Sequence, residues 1–117
     1  MKDALLVFVG GGTGAVLRWL LFVVTPTPWG IVGVNLLGSG LLAMVAHPAN
    51  GLPAAWRLLL GTGVLGGFTT YSTFNLDMLT AVQASHPGRA AAIGALTLGG
   101  GLLAGALGWW TAGRIWG

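Results

Sequence analysis

The chain has 117 residues, of which 55% are hydrophobic and only 6% are charged. Such a composition leaves too few polar side chains to coat a soluble domain, so it predicts an integral membrane protein. The net charge of +3 comes mostly from side chains at the edges of apolar segments, where they reach lipid headgroups, and gives no basis for nucleic-acid binding. The two acids, two histidines and absence of cysteine provide no nucleophile with a neighbouring base, which argues against an enzyme.

Four apolar segments predict four transmembrane helices, which form a single domain over residues 1–117. They cover approximately residues 4–24, 29–46, 54–82 and 90–116. Each segment is near or above the ~20 residues that a bilayer requires. Connectors containing proline separate the segments, and tryptophans lie near several of the predicted ends, as expected at a membrane interface. We therefore expect an all-α, multi-pass protein of the cell membrane, in contact with lipid.

The first helix carries small residues at four-residue spacing, where Gly10 and Gly14 precede Arg18. Small residues let helix backbones approach closely, so this face predicts helix packing and no ligand. Arg18 lies about a turn and a half from the end of its helix. Its side chain either snorkels to the headgroups or makes a structural bond, to carbonyls at a helix end or to Asp77.

The second helix has a carboxamide, Asn35, at its centre, with Gly38 and Ser39 one turn further on. A side-chain amide offers two donor hydrogens and one acceptor oxygen. Polar side chains in membrane helices often serve only to bond one helix to another. For Asn35 alone, a structural role and a functional role are both open, and the hydroxyl-rich third helix favours the functional one.

The third apolar segment is longer than a straight crossing requires, and residues 66–74 place two glycines and a run of hydroxyls at its centre. These residues are poor helix formers, so we predict an interruption that frees several carbonyls. Non-helical backbone at membrane depth is tolerated only inside protein or along a watery path. The freed carbonyls need cations, waters or neighbouring donors, and rings of carbonyls are how proteins hold dehydrated monovalent cations.

Two aromatic residues follow the glycines, and their spacing places Tyr71 and Phe74 on one helix face. The edges of aromatic rings carry partial positive charge, although core packing is the simpler explanation for the pair. Together with Ser72, Thr73 and Asn35, the rings would line a path suited to a small, desolvated anion.

The fourth helix carries a stripe of mostly small residues at helical spacing. The stripe consists of Gly94, Thr97, Gly101, Gly105 and Gly108. Close helix packing explains it. Four crossings place both termini on one side of the membrane, and a weak charge bias between the two sides allows insertion in both orientations. Four short helices enclose too little space for a pore, which favours an oligomer.

Three motifs in this order resemble the Fluc or CrcB family of small fluoride channels, and the resemblance covers essentially the whole chain. They are GGTGAVLRW at 11–19, VNLLGS at 34–39 and GGFTTYSTF at 66–74. The resemblance implies an antiparallel homodimer of dual-topology subunits, with two fluoride pathways along the subunit interface. It also implies a structural sodium ion at the centre, held by the backbone carbonyls of Gly66 and Thr69 from each subunit.

The resemblance further implies which side chains line the fluoride pathway. They are Asn35, Tyr71, Ser72, Thr73, Phe74 and Thr97. Tyr71 stands where the family has phenylalanine, which puts the role of its ring edge in doubt. Ile93 and Gly101 stand where the spacing from Thr97 leads us to expect polar residues, so the polar lining of the fourth helix is expected to be thinner.

We therefore expect a channel that exports fluoride passively. One rival is a small dual-topology, proton-coupled multidrug exporter, which requires a membrane-embedded carboxylate. The chain has no glutamate, and Asp77 lies towards one end of the third helix. The other rival is a non-transporting assembly subunit held together by glycine packing.

Overall fold

The computed structural model describes all of residues 1–117, and the chain is entirely helical. Helix α1 covers Lys2–Val24, α2 covers Trp29–Ala46, α3 covers 54–68, α4 covers Tyr71–Gln83 and α5 covers Pro87–Trp116. A single short turn, Pro48–Asn50, lies in the connector between α2 and α3. Because α3 and α4 are the two halves of one interrupted helix, the prediction of an all-α fold with four helical units is confirmed.

Three of the helices, α1, α2 and α5, are long and apolar enough to cross a membrane. The third helical unit does not meet this length, because its interruption divides it into the two shorter helices α3 and α4. Helix α5 begins at Pro87, three residues before the predicted start. Proline is favoured at the first position of a helix, since its missing N–H would have no intrahelical partner there.

The interruption is narrower than predicted and is confined to Thr69 and Thr70, whose backbones are extended. Gly66 and Gly67 stay helical despite their low helix propensity. For Gly67 the reason is tertiary: its backbone packs directly on that of Gly11 in α1, where a β-carbon would collide. Packing of this kind routinely overrides propensity.

Threonine hydrogen bonds define both ends of the break. The Thr69 N–H and hydroxyl both donate to the Leu65 carbonyl, at 3.0 Å each, which ends α3. The Thr70 hydroxyl accepts a hydrogen bond from the Thr73 N–H at 3.3 Å and so caps the start of α4. A threonine at this N-terminal position satisfies one of the donors that a helix start leaves unpaired.

Glycines bring the helices into contact in two pairs, α1 with α3 and α2 with α5, so the predicted packing faces are confirmed. A β-carbon on Gly10 would lie 2.9 Å from the Gly63 Cα, and one on Gly108 would collide with the Gly40 carbonyl. The stretch Leu58–Leu65 in α3 is wound as a π-helix, in which the Gly66 N–H donates to the Gly61 carbonyl five residues back. Such stretches are rare and frequently occur near functional sites.

Candidate functional site

Two polar side chains from neighbouring helices hold the break, and the first is Asn35 of α2. Its Nδ2 donates to the Thr70 carbonyl at 3.0 Å, and its Oδ1 accepts from the Thr70 N–H at 2.8 Å. The amide therefore satisfies both backbone groups of Thr70, which has left the helix. Because Nδ2 carries two hydrogens, one N–H remains for another acceptor. Asn35 thus has a structural role and keeps a free donor.

The second side chain is Arg18 of α1, whose Nη1 donates to the carbonyls of Gly67 and Thr69 at 2.8 and 2.9 Å. Among the alternatives left open above, the structure places the guanidinium on carbonyls at a helix end rather than on Asp77. The C-terminal end of α3 carries partial negative charge, which complements the guanidinium. A charged side chain at membrane depth is expected to pair with backbone carbonyls in this way.

A cavity of about 230 Å³ opens beside the break, and we call it the break cavity. It is lined by Asn35, Gly38, Ser39, Leu42, Thr69, Thr70, Tyr71, Phe74 and Thr97. Four of the six predicted pathway residues are therefore brought together. The rings of Tyr71 and Phe74 lie on one side, with centroids 5.7 Å apart and a tilt of 53°. Phe74 is buried, whereas Tyr71 is 71% exposed on the surface of the single chain.

Thr97 presents an unused hydroxyl to this cavity. The residue is only 9% exposed, and its Oγ1 has no hydrogen-bond partner. Threonines in helices commonly bond the carbonyl four residues earlier, as Thr13 does with Val9 at 2.8 Å. Thr97 lies in the π-helical stretch Leu96–Gly100 and makes no such bond. Its buried hydroxyl is consequently left without a hydrogen-bond partner inside the chain.

The other two predicted pathway hydroxyls lie outside the break cavity. The hydroxyls of Ser72 and Thr73 lie 3.4 and 3.1 Å from the Thr70 hydroxyl, in the first turn of α4. Ser72 is exposed and Thr73 is partly buried. Their place on an ion pathway therefore stays a prediction, and within one chain they support the start of α4.

Three polar lining residues, Ser39, Thr69 and Thr70, were not among the predicted pathway residues, although Thr69 was predicted to bind metal. The Ser39 hydroxyl donates to the Asn35 carbonyl at 2.7 Å, one turn away along α2. Thr70 supplies the peptide group that Asn35 binds. Threonine is favoured at helix N-caps, so Thr70 could have located the start of α4. Asn75 was also overlooked, and its side chain is exposed on α4.

The predicted sodium ligands fit a cation only in part. No three His, Cys, Asp or Glu side chains lie close enough together to hold a metal ion, so a cation here would be bound by backbone carbonyl, amide or hydroxyl oxygens. The Gly66 carbonyl has lost its regular α-helical donor, because the Thr70 N–H donates to Asn35 instead. The Thr69 carbonyl already accepts from Arg18, although a carbonyl has a second lone pair. One chain therefore offers one free oxygen and one shared oxygen.

Asp77 lies away from the break, in a second cavity of about 250 Å³ towards the C-terminal end of α4. Its Oδ2 is buried and has no hydrogen-bond partner. Arg89 lines the same cavity, and its Nη2 is 3.5 Å from the Thr27 carbonyl. We call this second space the distal cavity.

The sequence is similar to one described protein family and to named proteins of several Burkholderia species. Residues 5–109 match the family described as CrcB-like protein, Camphor Resistance (CrcB). A protein of Burkholderia ambifaria named fluoride-specific ion channel FluC is 42% identical over 94% of this chain and 91% of its own length. Proteins of the same name from Burkholderia vietnamiensis and Burkholderia pseudomallei are 43% and 41% identical, over 91% and 94% of this chain and 89% and 91% of their own lengths.

Proposed function

Because this chain belongs to the CrcB-like family, we propose that it is a fluoride-selective channel that exports cytoplasmic fluoride and so confers fluoride resistance. The observation that carries the proposal is the break cavity. It offers an amide N–H of Asn35, the free hydroxyl of Thr97 and two aromatic rings, with no basic side chain. Neutral donors hold an anion weakly enough for it to leave, which conduction requires.

Selectivity follows from the kind of donors present. Fluoride is the smallest halide and the strongest hydrogen-bond acceptor, so it regains most from an amide N–H and a hydroxyl once its water is removed. Chloride accepts hydrogen bonds less strongly and gains less from the same groups. Ring edges of Tyr71 and Phe74 add partial positive charge without a fixed cation.

Export needs only the gradients that the cell already maintains. Fluoride crosses from acid surroundings as neutral HF and ionises in the less acidic cytoplasm. The anion then leaves through the channel down its electrochemical gradient. Ser72 and Thr73 extend the same pathway once the assembly is complete.

The working unit is an antiparallel homodimer of dual-topology subunits. The support for a second copy is the surface of α4, where Tyr71, Ser72 and Asn75 are exposed at membrane depth. Lipid offers no hydrogen-bond partners to such groups, so their burial against protein or water is favoured. A second copy running in the opposite direction would cover this face.

A structural sodium ion shared by the two subunits would be held by the carbonyls of Gly66 and Thr69 from each copy. The carbonyl oxygens at the break carry partial negative charge, and lipid offers them no partner. The ion would supply the positive charge that pairs with them. Arg18 already provides part of this charge to Thr69. The free Gly66 carbonyl is the oxygen that gains most from the ion.

Liposomes that contain the purified protein and are loaded with potassium fluoride are expected to release fluoride rapidly once a potassium ionophore is added. The ionophore lets potassium leave as well, so that fluoride release builds up no opposing charge. Liposomes loaded with chloride at the same concentration are the control and should release little. A fluoride electrode and a chloride electrode give the two rates. Equal release of both anions would contradict selectivity, and no release of either would favour the assembly-subunit rival.

The same liposomes separate the channel from the drug exporter. Exchange of protons for an organic cation, without anion release, would favour the exporter. The exporter would have to use Asp77, since it and Asp3 are the only acids, and Asp3 lies at the start of α1. The names of the relatives, which are ion channels, count against this rival.

Sodium is expected to raise the melting temperature of the dimer in detergent, since an ion that binds only the folded state stabilises it. The free energy of unfolding should grow with the logarithm of the sodium concentration, by about 2.7 kcal/mol at 100 times the dissociation constant, and the melting temperature should rise with it. N-methylglucamine at equal ionic strength is the control cation. A monomer by mass measurement, or equal melting temperatures in both salts, would count against the shared ion.

A further inference from the structure

The distal cavity lies at the end of the helix bundle where two connectors come together. Thr27 and Pro28 belong to the connector between α1 and α2, and Ala84 and His86 belong to the connector between α4 and α5. The whole lining brings together one carboxylate, one guanidinium, one imidazole and two hydroxyls. It consists of Thr27, Pro28, Asp77, Thr80, Ala81, Ala84, His86 and Arg89.

The cavity lies at the depth of the lipid headgroups and the outermost hydrocarbon. Its charged residue closest to the break, Asp77, stands seven residues after Thr70, which is about 10 Å along α4. Half of a typical hydrocarbon core is about 15 Å thick. With the break at the centre of the bilayer, Asp77 lies just inside the hydrocarbon boundary, and the two connectors at the rim reach the headgroups.

The carboxylate and the guanidinium of this cavity do not bond to each other. Oδ2 of Asp77 is buried without a hydrogen-bond partner, and Arg89 makes one long contact, from Nη2 to the Thr27 carbonyl at 3.5 Å. A guanidinium has five N–H donors, so most of those on Arg89 are free. A carboxylate that is partly removed from water is costly unless a cation or donors pair with it. The cavity therefore holds an unpaired acceptor and unpaired donors at the same time.

A ligand with both signs of charge matches this arrangement better than a simple ion. An anion alone would be attracted by Arg89 and repelled by Asp77, and a cation alone would meet the reverse. A zwitterion pairs its anionic end with Arg89 and its cationic end with Asp77. The volume of about 250 Å³ corresponds to about eight waters at ~30 Å³ each, and a phosphoethanolamine group has a similar number of non-hydrogen atoms.

We propose that the distal cavity binds the headgroup of a phospholipid that carries a primary amine. The phosphate lies against Arg89 and His86, beside the first turn of α5, whose N-terminal end carries partial positive charge. The ammonium turns inward to Asp77, which it meets at Oδ1 because Oδ2 is covered by protein. A primary ammonium donates up to three hydrogen bonds, whereas the trimethylammonium of a choline lipid donates none. The site does not depend on fluoride conduction.

Native mass spectrometry of the purified protein in detergent, with one added lipid at a time, tests the site. The probes are dioleoyl phosphatidylethanolamine and the matching phosphatidylcholine and phosphatidylglycerol, at equal concentrations. We expect the ethanolamine lipid to bind about tenfold more tightly than either of the others, since one hydrogen bond to a charged group is worth about that factor. Asp77→Asn should remove this preference. Arg89→Gln should weaken the binding of all three lipids, because each loses a contact to its phosphate.

Two variants outside the cavity are matched controls, because they make the same changes of charge. Asp3→Asn alters the first turn of α1, and Arg114→Gln alters the last turn of α5. Neither residue lines the distal cavity. Both variants should bind the three lipids as the wild type does.

Equal binding of the ethanolamine and choline lipids by the wild type would overturn the proposal, and this comparison needs no variant to fold. Tighter binding of phosphatidylglycerol would also overturn it, since Arg89 would then act alone as an anion site. A folded Asp77→Asn protein that keeps the preference would do the same.

Free phosphoethanolamine distinguishes a lipid from a soluble ligand. If it raised the melting temperature as much as the ethanolamine lipid does at the same concentration, the occupant would be a soluble zwitterion and the lipid site would be wrong. Fluoride release by the wild type is measured separately in liposomes. A protein that prefers the ethanolamine lipid but releases no fluoride would overturn the proposed function and leave the lipid site intact.

Discussion

Alanine in place of Gly14 is expected to destabilise the folded protein strongly and to lower its melting temperature. A β-carbon at this position would collide with the Val64 carbonyl and lie 2.7 Å from the Phe68 amide nitrogen. Both are backbone atoms of α3, so neither can rotate out of the way. The helices would have to separate along the contact that positions the break.

The expected cost is large because this contact carries much of the packing. Membrane helices associate through close van der Waals contact, since lipid provides no hydrophobic drive between them. Overpacking of a tight interior costs about 1–3 kcal/mol or more. Movement of α1 would also withdraw Arg18 from the Gly67 and Thr69 carbonyls. Domains have only about 5–15 kcal/mol of stability in total, so the loss is a large fraction.

The matched control is Gly12→Ala on the same helix, where an added β-carbon meets nothing within 4 Å. Alanine is also the better helix former by about 1 kcal/mol, so this variant should be as stable as the wild type or slightly more so. Thermal unfolding followed by light scattering in detergent compares the two. A Gly14→Ala protein that melts with the wild type would show that α1 and α3 are not packed as described.

Hydropathy alone located the helical units, because a bilayer leaves few alternatives to helices for so apolar a chain. The spacing of Gly10 and Gly14 likewise identified a packing face. It could not identify the partner helix, since any small-residue face would serve. The position of the break was only approximate for a related reason: propensity pointed at Gly66 and Gly67, whereas contact with Gly11 keeps Gly67 helical.

The contacts that organise the site join residues far apart along the chain, and local pattern carries no information about them. Arg18 reaches carbonyls 49 and 51 residues later, and Asn35 reaches Thr70 35 residues later. Residue type did limit the choices, because a buried amide or guanidinium must find partners. The distal cavity was missed altogether, since its lining comes from a loop and two helix ends that look solvated when each is taken separately.

Replacement of Asn35 by alanine is expected to reduce fluoride release by about 10- to 100-fold, while the dimer still forms. The variant leaves the Thr70 N–H and carbonyl without their partners, at about 1–3 kcal/mol each. It also removes the remaining N–H from the break cavity. Loss of even one donor at a charged ligand is worth about 1.5–3 kcal/mol, or a factor of about 10 to 100 in rate.

A variant at a second asparagine, Asn50, distinguishes loss of the fluoride pathway from loss of stability. Asn50 donates to the Met44 and Val45 carbonyls at 2.8 Å each, at the end of α2 and away from both cavities. Asn50→Ala should therefore lower the melting temperature, because it removes hydrogen bonds from the partly buried Met44 and Val45 carbonyls and from the Leu52 N–H. Its fluoride release per folded protein should stay at the wild-type rate. If Asn50→Ala lost release as steeply as Asn35→Ala, instability alone would account for both variants, and Asn35 would have no place on the pathway.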